Sequence, residues 1–293
     1  MGIRRRLDKV YESAPRIRLG SDSRIVCMSD CHRGVGNRGD NFLFNQNLFF
    51  AALKYYEGRG YTYAELGDGD ELWENRSLKR IVEIHSDAFW LMAEFYGQGR
   101  FLQLYGNHDI KKSRQRFVER HCGVYCNSRD CIEKLFSGMK VYEGVVLETD
   151  ARREILLVHG HQGDLLNDTL APVAEFLVRH VWRRLELLGI YDPTSAAMNY
   201  RRRKKTEKRL ESWARERNVM VLAGHTHRPV LPRPGESLYL NDGSCVHPRC
   251  ITAMELEGCR VTLVKWSVRT VCGRNLSVER EILEGPYPIN KYF

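Results

Sequence analysis

Short apolar runs alternate with longer stretches of helical period along most of this chain. Residues 24–30 (RIVCMSD) read as a buried strand, and 61–68 (YTYAELGD) and 101–109 (FLQLYGNHD) repeat the pattern. Between them, 42–60 and 75–99 place apolar side chains at amphipathic-helix spacing, the first segment closing at glycine. Residues 140–149 and 154–160 predict a hairpin, and 219–225 (VMVLAGH) predicts a strand preceded by a helix around 206–217. The stretches 238–244, 250–258 and 259–268 make the C-terminal part rich in strand. Strand–helix alternation followed by strands predicts an α/β fold with a mixed sheet or a pair of sheets. No internal repeat or linker divides the chain, so residues 1–293 are expected to form one domain with a core over about 24–266.

One segment breaks the alternation. Residues 171–189 carry proline in their first turn, end at glycine, and place Val173, Leu177, Val181, Leu185 and Leu188 at helical spacing. A second helix opens at DPTSAAMNY and runs into RRRKK. We read 166–205 as a helical insertion. Residues 166–217 hold twelve Lys/Arg against seven Asp/Glu, which is five of the nine excess positive charges of the whole chain. The plain reading is an amphipathic helix packed on the main domain. The functional reading is a cap whose Arg179, Arg183, Arg184 and 201–205 run meet an anionic substrate, or, with Trp182, a membrane surface.

Five polar motifs each follow directly on an apolar strand. They are Asp30-x-His32, Gly67-Asp68-x-x-Glu71, Gly106-Asn107-His108-Asp109, His159 within VHGHQGD, and Gly224-His225-Thr226-His227. The first three lie about 38 residues apart, room for a strand, a crossover helix and a return strand. Loops at the carboxyl ends of such strands converge on one crevice. Asp30, His32, Asp68, Asn107, His159, His225 and His227 therefore form a set of carboxylate, amide and imidazole donors suited to divalent first-row metals. Seven donors exceed what one ion takes from protein. A two-metal site with one bridging carboxylate accommodates them and leaves positions for water and substrate. Turn formation and helix capping would account for any one motif alone.

This ordered set resembles the calcineurin-like metallophosphoesterase superfamily over about Arg24 to Trp266, with LNDGSC resembling that family's closing strand and turn. The resemblance implies a two-sheet αββα sandwich. It assigns Asp30, His32 and His227 to a first metal, Asn107, His159 and His225 to a second, and Asp68 to the bridge. His108 would be the proton donor to the leaving oxygen and Asp109 would orient its imidazole. It also favours manganese among Mn, Fe, Zn, Co and Ni. The expected reaction is in-line attack of a metal-bridging hydroxide on a phosphate ester or pyrophosphate, with His108 protonating the departing alkoxide. Some relatives that cleave the pyrophosphate of a UDP-diacylglucosamine lipid precursor carry a similar helical cap. They typically have Gly-Asn-Arg-Asp where this chain has Gly-Asn-His-Asp.

Several neighbours of these motifs admit two readings. Arg33 either meets a substrate phosphate or faces solvent. Glu71 either matches the family's acidic position or caps a helix. His161, Gln162 and Asp164 either shape a polar loop or support the ligands.

Composition narrows the partners. The net charge of +9 favours a phosphorylated, anionic substrate. Nucleic acid is the alternative partner, motivated by the RRRKK run, though no recognised nucleic-acid module is present. A catalytically idle scaffold on the same fold is the remaining alternative. No apolar run reaches the roughly 18 residues of a membrane span. The basic first twenty residues contain no apolar stretch and are not expected to act as a secretory signal, so a cytoplasmic protein with reduced thiols is expected. The nine cysteines include Cys122, Cys126 and Cys131, whose spacing matches no common metal or cluster motif.

Overall fold

The computed structural model describes residues 2–126, 132–164, 200–271 and 275–293. Its elements run α1 (Ile3–Ser13), β1 (Arg16–Leu19), β2 (Arg24–Met28), α2 (Gln46–Glu57), β3 (Thr62–Leu66), α3 (Leu78–Ile84), α4 (Ser86–Gly97), β4 (Phe101–Leu104) and α5 (Gln115–His121). Then come β5 (Val124–Cys126), β6 (Ile132–Lys134), β7 (Val141–Tyr142), β8 (Gly144–Thr149), β9 (Glu154–Val158), α6 (Tyr200–Arg217), β10 (Met220–Ala223), β11 (Tyr239–Asn241), β12 (Cys250–Glu257), β13 (Arg260–Val271) and β14 (Asn275–Pro288).

Two mixed sheets form the centre. One has the order β14-β13-β12-β2-β3-β4-β7, the other β1-β8-β9-β10-β11, and β5 pairs with β6 in a separate ribbon. Strand periodicity makes the layers. On β2, Ile25 and Cys27 point between the sheets, where Leu66, Leu104, Leu147, Leu157, Leu222 and Met254 meet them. The alternate residues Val26 and Met28 face α2 and α4 through Phe49, Leu53, Tyr56 and Phe95. The smaller sheet repeats the division, with Val146, Leu156 and Val221 turned toward Leu7 and Val10 of α1 and Leu210 and Trp213 of α6. The result is the expected αββα sandwich.

Several elements differ from the sequence reading. The single helix over 75–99 is two helices, α3 and α4, broken at His85. The His85 ring is fully buried, with Nε2 2.9 Å from Asp40 Oδ2 and Nδ1 3.2 Å from Gln46 Oε1. That tether holds the backbone at φ −109°, ψ 32°, outside the helix. The predicted strand 140–149 is divided between the sheets, with β7 beside β4 and β8 antiparallel to β9. Gly144 marks the crossing, where a Cβ would fall 2.7 Å from Val10 Cγ1 and 3.2 Å from the Leu157 carbonyl. Elements α1, β1, α5, the β5–β6 ribbon and β14 were not read from the pattern. On β14 the apolar Leu276, Val278, Ile282 and Leu283 are interspersed with charge and remain exposed, so its pairing with β13 identifies the strand.

The insertion expected at 166–205 lies largely outside the described residues, as do Cys131 and Cys272. Its end is visible: 200–205 belong to α6, continuous with the helix predicted at 206–217. Cys122 is buried, and burial pushes its thiol up to about 11. Among the described residues no helix is long and apolar enough to cross a membrane.

Candidate metal centre

Strands β2, β3 and β4 are parallel neighbours, as are β9 and β10 in the opposite sheet. Their carboxyl ends open at one edge of the sandwich, and the five motifs meet there. The loops continue the pairing beyond the strands. Asp30 N donates to the Gly67 carbonyl at 3.1 Å, His32 N to Asp68 O at 2.9 Å, and Gly224 N to His159 O at 2.9 Å.

Asp30, His32 and His227 form one group of potential ligand atoms, and Asp68, His159 and His225 form another, each within 4.8 Å of one another. His227 Nε2 is 3.0 Å from Asp30 Oδ1, and His159 Nε2 is 3.0 Å from Asp68 Oδ2. His32 Nε2 lies 3.7 Å from Asp30 Oδ1 and 3.9 Å from Asp68 Oδ2, which brings the two groups together at Asp68. Five of these residues hold left-handed backbone, with φ of 52° at Asp30, 48° at His32, 50° at Asp68, 66° at His225 and 53° at His227. Such φ values are costly for non-glycine residues and concentrate at functional sites.

The supporting contacts leave particular atoms facing the centre. Asp30 Oδ2 accepts from His225 N at 2.8 Å and from Ser29 Oγ at 2.5 Å, and Ser29 Oγ also lies 2.8 Å from Asp242 Oδ1. Asp68 Oδ1 accepts from His108 N at 2.7 Å. His159 Nδ1 sits 3.0 Å from the Leu66 carbonyl, which directs Nε2 inward. Among the described residues Asp30 Oδ1, His32 Nε2, Asn107 Oδ1 and His159 Nε2 are buried without a hydrogen bond. Buried polar atoms are nearly always satisfied, so orphans on four residues of these motifs, two of them 3.0 Å from another potential ligand atom, fit cation ligands. The mixture of carboxylate, amide and imidazole donors suits a divalent transition metal.

The charges are mutually compensating. Burial raises the Asp68 carboxyl, but the imidazoles of His159 and His108 outweigh it and hold the group well below the usual carboxylate range. Burial depresses His159, and Asp68 and Asp30 reverse this and carry it up to about 9. Glu71 is raised by burial and brought down to about 2 by His108 and His32.

The neighbours of these ligands take the following places. Glu71 caps no helix; its Oε2 lies 3.0 Å from His32 Nδ1 and 2.7 Å from His108 Nδ1, and the three form a further group of potential ligands. Asp109 was expected to orient His108. Its Oδ1 instead accepts from Gly106 N at 2.7 Å and Asp68 N at 3.3 Å, and its Oδ2 lies 3.0 Å from Lys112 Nζ. Asp109 therefore ties the Asp68 and Asn107 loops together, and Glu71 is the carboxylate on His108. Arg33 meets neither solvent nor an open crevice: it is 1% exposed, with both terminal nitrogens 2.8 Å from Glu65 and Nε 2.8 Å from Asp70. His161 is fully buried beside His159, with ring centroids 5.5 Å apart. Asp164 Oδ2 reaches His225 Nε2 at 3.7 Å and accepts from Arg202 Nε at 2.7 Å, so the end of the insertion touches the site.

The close approach of two loops depends on Gly67. Its φ is +97°, and a Cβ there would fall 2.6 Å from Gly106 N and 2.8 Å from Tyr105 C, which are backbone atoms. Gly67→Ala is expected to destabilise the protein by about 1–3 kcal/mol from the left-handed backbone alone, with overpacking adding about as much. Urea denaturation measures it. Gly97→Ala is the control, since nothing lies within 4 Å of the added methyl, and it should match or exceed wild-type stability.

An αββα sandwich with a convergent cluster of carboxylate, amide and imidazole donors at its strand ends defines a protein built to hold divalent cations. Residues 23–229 match the model of the calcineurin-like phosphoesterase family, and the chain belongs to that family. Among solved structures it is similar to Vacuolar Protein Sorting 29 from Cryptosporidium parvum, at 15% identity and a TM-score of 0.37, over 90% of this chain and 98% of that one. A comparison with curated proteins returns no match.

Proposed function

We propose that this protein is a dinuclear metal-dependent phosphohydrolase acting on a phosphate ester or pyrophosphate. The observation that carries the reading is the convergence of Asp30, His32 and His227, and of Asp68, His159 and His225, with the ligand atoms of each group within 4.8 Å of one another. Asp30, His32 and His227 would hold one ion, Asn107, His159 and His225 the other, with Asp68 between them. Two divalent ions held there would supply an acidified water as nucleophile and would neutralise the phosphoryl oxygens. Manganese is the first expectation, with Fe, Zn, Co and Ni suited to the same donors.

The protein's own contribution is position and protons. Ser29 and the His225 amide fix one oxygen of Asp30, and the His108 amide fixes one oxygen of Asp68, so each carboxylate presents its other oxygen. His108 keeps Nδ1 against Glu71 and has a 22% exposed side chain, the arrangement of a group that gives a proton from Nε2 to a leaving oxygen. Arg202 reaches the centre through Asp164, which lies 3.7 Å from His225, and the net charge of +9 suits an anionic substrate.

Elemental analysis of protein loaded with Mn tests the reading. About two equivalents per chain are expected, with hydrolysis of p-nitrophenyl phosphate, its bis ester or a nucleotide sugar abolished by chelation and restored by Mn. Saturation at one equivalent would overturn the dinuclear assignment. Full metal content without turnover of any ester would favour the scaffold reading. Asp68→Asn should lower the content of both sites, by more than the roughly 10–100-fold affinity loss that follows removal of a mere supporting partner.

A further inference from the structure

The turn at residues 71–75 grips His108 from two directions. Glu71 Oε2 stands 2.7 Å from Nδ1 at the ring edge. The Trp73 indole covers the ring face, with centroids 4.2 Å apart and planes 23° from parallel. The His32 ring meets His108 edge-on at 4.7 Å and 85°. Trp73 is 4% exposed, so its own orientation is set by packing.

The turn is built to be rigid. Asn75 N and Asn75 Nδ2 both donate to the Glu71 carbonyl, at 3.2 and 3.0 Å. Glu74 N donates to Glu71 Oε1 at 3.3 Å, which leaves Oε2 for the two histidines. Lys111 Nζ donates to the Leu72 carbonyl at 3.0 Å and ties the turn to the segment that follows His108. Glu71 holds the ring at its Nδ1 edge, 2.7 Å away. The stacked indole holds its face. Together the two contacts limit rotation about the Cβ–Cγ bond.

We propose that Trp73 is a positioning residue for the proton donor, holding the His108 ring so that Nε2 is presented to the leaving oxygen. This rests on the phosphohydrolase reading above. A ring free to rotate would present Nε2 in only part of its orientations, and small misplacements of a catalytic group cost up to about 10²-fold in rate.

The test compares Trp73→Leu and Trp73→Phe with wild type on p-nitrophenyl phosphate and phenyl phosphate. The first leaving group departs without a proton; the second needs one. Trp73→Leu should lower the ratio of phenyl to p-nitrophenyl turnover by about tenfold or more, at unchanged metal content. Trp73→Phe, which keeps a flat ring, should restore the ratio to within about threefold of wild type. In the metal-free protein, NMR should find the His108 ring protons shifted upfield by the indole, with the shift lost in Trp73→Leu. Equal losses on both esters, or a fall in metal content, would assign Trp73 a merely structural role and overturn the proposal. An unchanged His108 shift in Trp73→Leu would overturn it too. Absence of wild-type turnover on any ester would sink the phosphohydrolase reading instead, and the NMR comparison would still decide whether Trp73 holds the ring.

Discussion

His108→Ala is expected to keep its metal content while losing about 10²–10⁴ of its turnover on esters with basic leaving groups, the usual scale for a general acid. The expectation follows from where the ring sits. Its Nδ1 is turned to Glu71, and its backbone amide already serves the Asp68 carboxylate. Removing the imidazole leaves that amide in place, so the Asp68 carboxylate keeps its support. The loss should shrink on p-nitrophenyl phosphate, whose leaving group needs no proton. His32, Glu71 and His108 can also be drawn as a metal-binding group. Elemental analysis of the variant separates the two roles: a fall to one equivalent would make His108 a ligand and overturn its assignment as acid.

Arg33→Met should be strongly destabilising. The guanidinium is buried between Glu65 and Asp70, Lys112 Nζ lies 2.7 Å from Asp70 and 3.0 Å from Asp109, and Glu65 also accepts from Tyr63 at 2.9 Å and Gln103 at 3.0 Å. Deleting one partner of a buried ion pair leaves the others uncompensated and costs about 3–5 kcal/mol. The double variant Arg33→Met/Glu65→Met removes both charges and should recover much of that loss in urea denaturation. No recovery would mean that packing, and not charge, sets the cost. The cluster also gives stability a pH dependence. Burial raises Asp70, and Arg33 and Lys112 bring it down from 3.8 to about 2. A carboxyl depressed on folding stabilises fully above its unfolded pKa, so this contribution is present above about pH 4 and is lost as pH falls toward 2.

Much of the site could be read from the chain because its donors are of unusual types for their places. Asp30, His32, Asp68, Asn107, His159, His225 and His227 each end or follow an apolar strand, where turn chemistry alone does not ask for that order of polar groups. Short, largely apolar runs likewise identified β2, β3, β9 and β10, since each is buried on both faces over nearly its whole length. The residues whose places the sequence left open, misassigned or unread share one property. Arg33, Glu71, Asp109 and Trp73 act through partners on other loops, and nothing local distinguishes a buried arginine from an exposed one. Glu71 offered a signal in its distance from Asp68; Trp73 offered none until its ring was found on His108.

The chain by itself determined the α/β class, the family and the set of side chains that could bind cations, because strand and helix periods and the motifs are local properties of sequence. Tertiary structure decided how the layers close and how the charges pair. The division of 140–149 between two sheets at Gly144, and the break at His85, depend on what packs against those residues and not on their own preferences. The same holds at the centre. Which oxygen of Asp30 or Asp68 is spent on a backbone amide, and which faces inward, is set by loops some 40 to 200 residues apart in sequence. Long-range contacts of this kind form only once both sheets are in place, so a linear pattern can nominate the groups but cannot orient them.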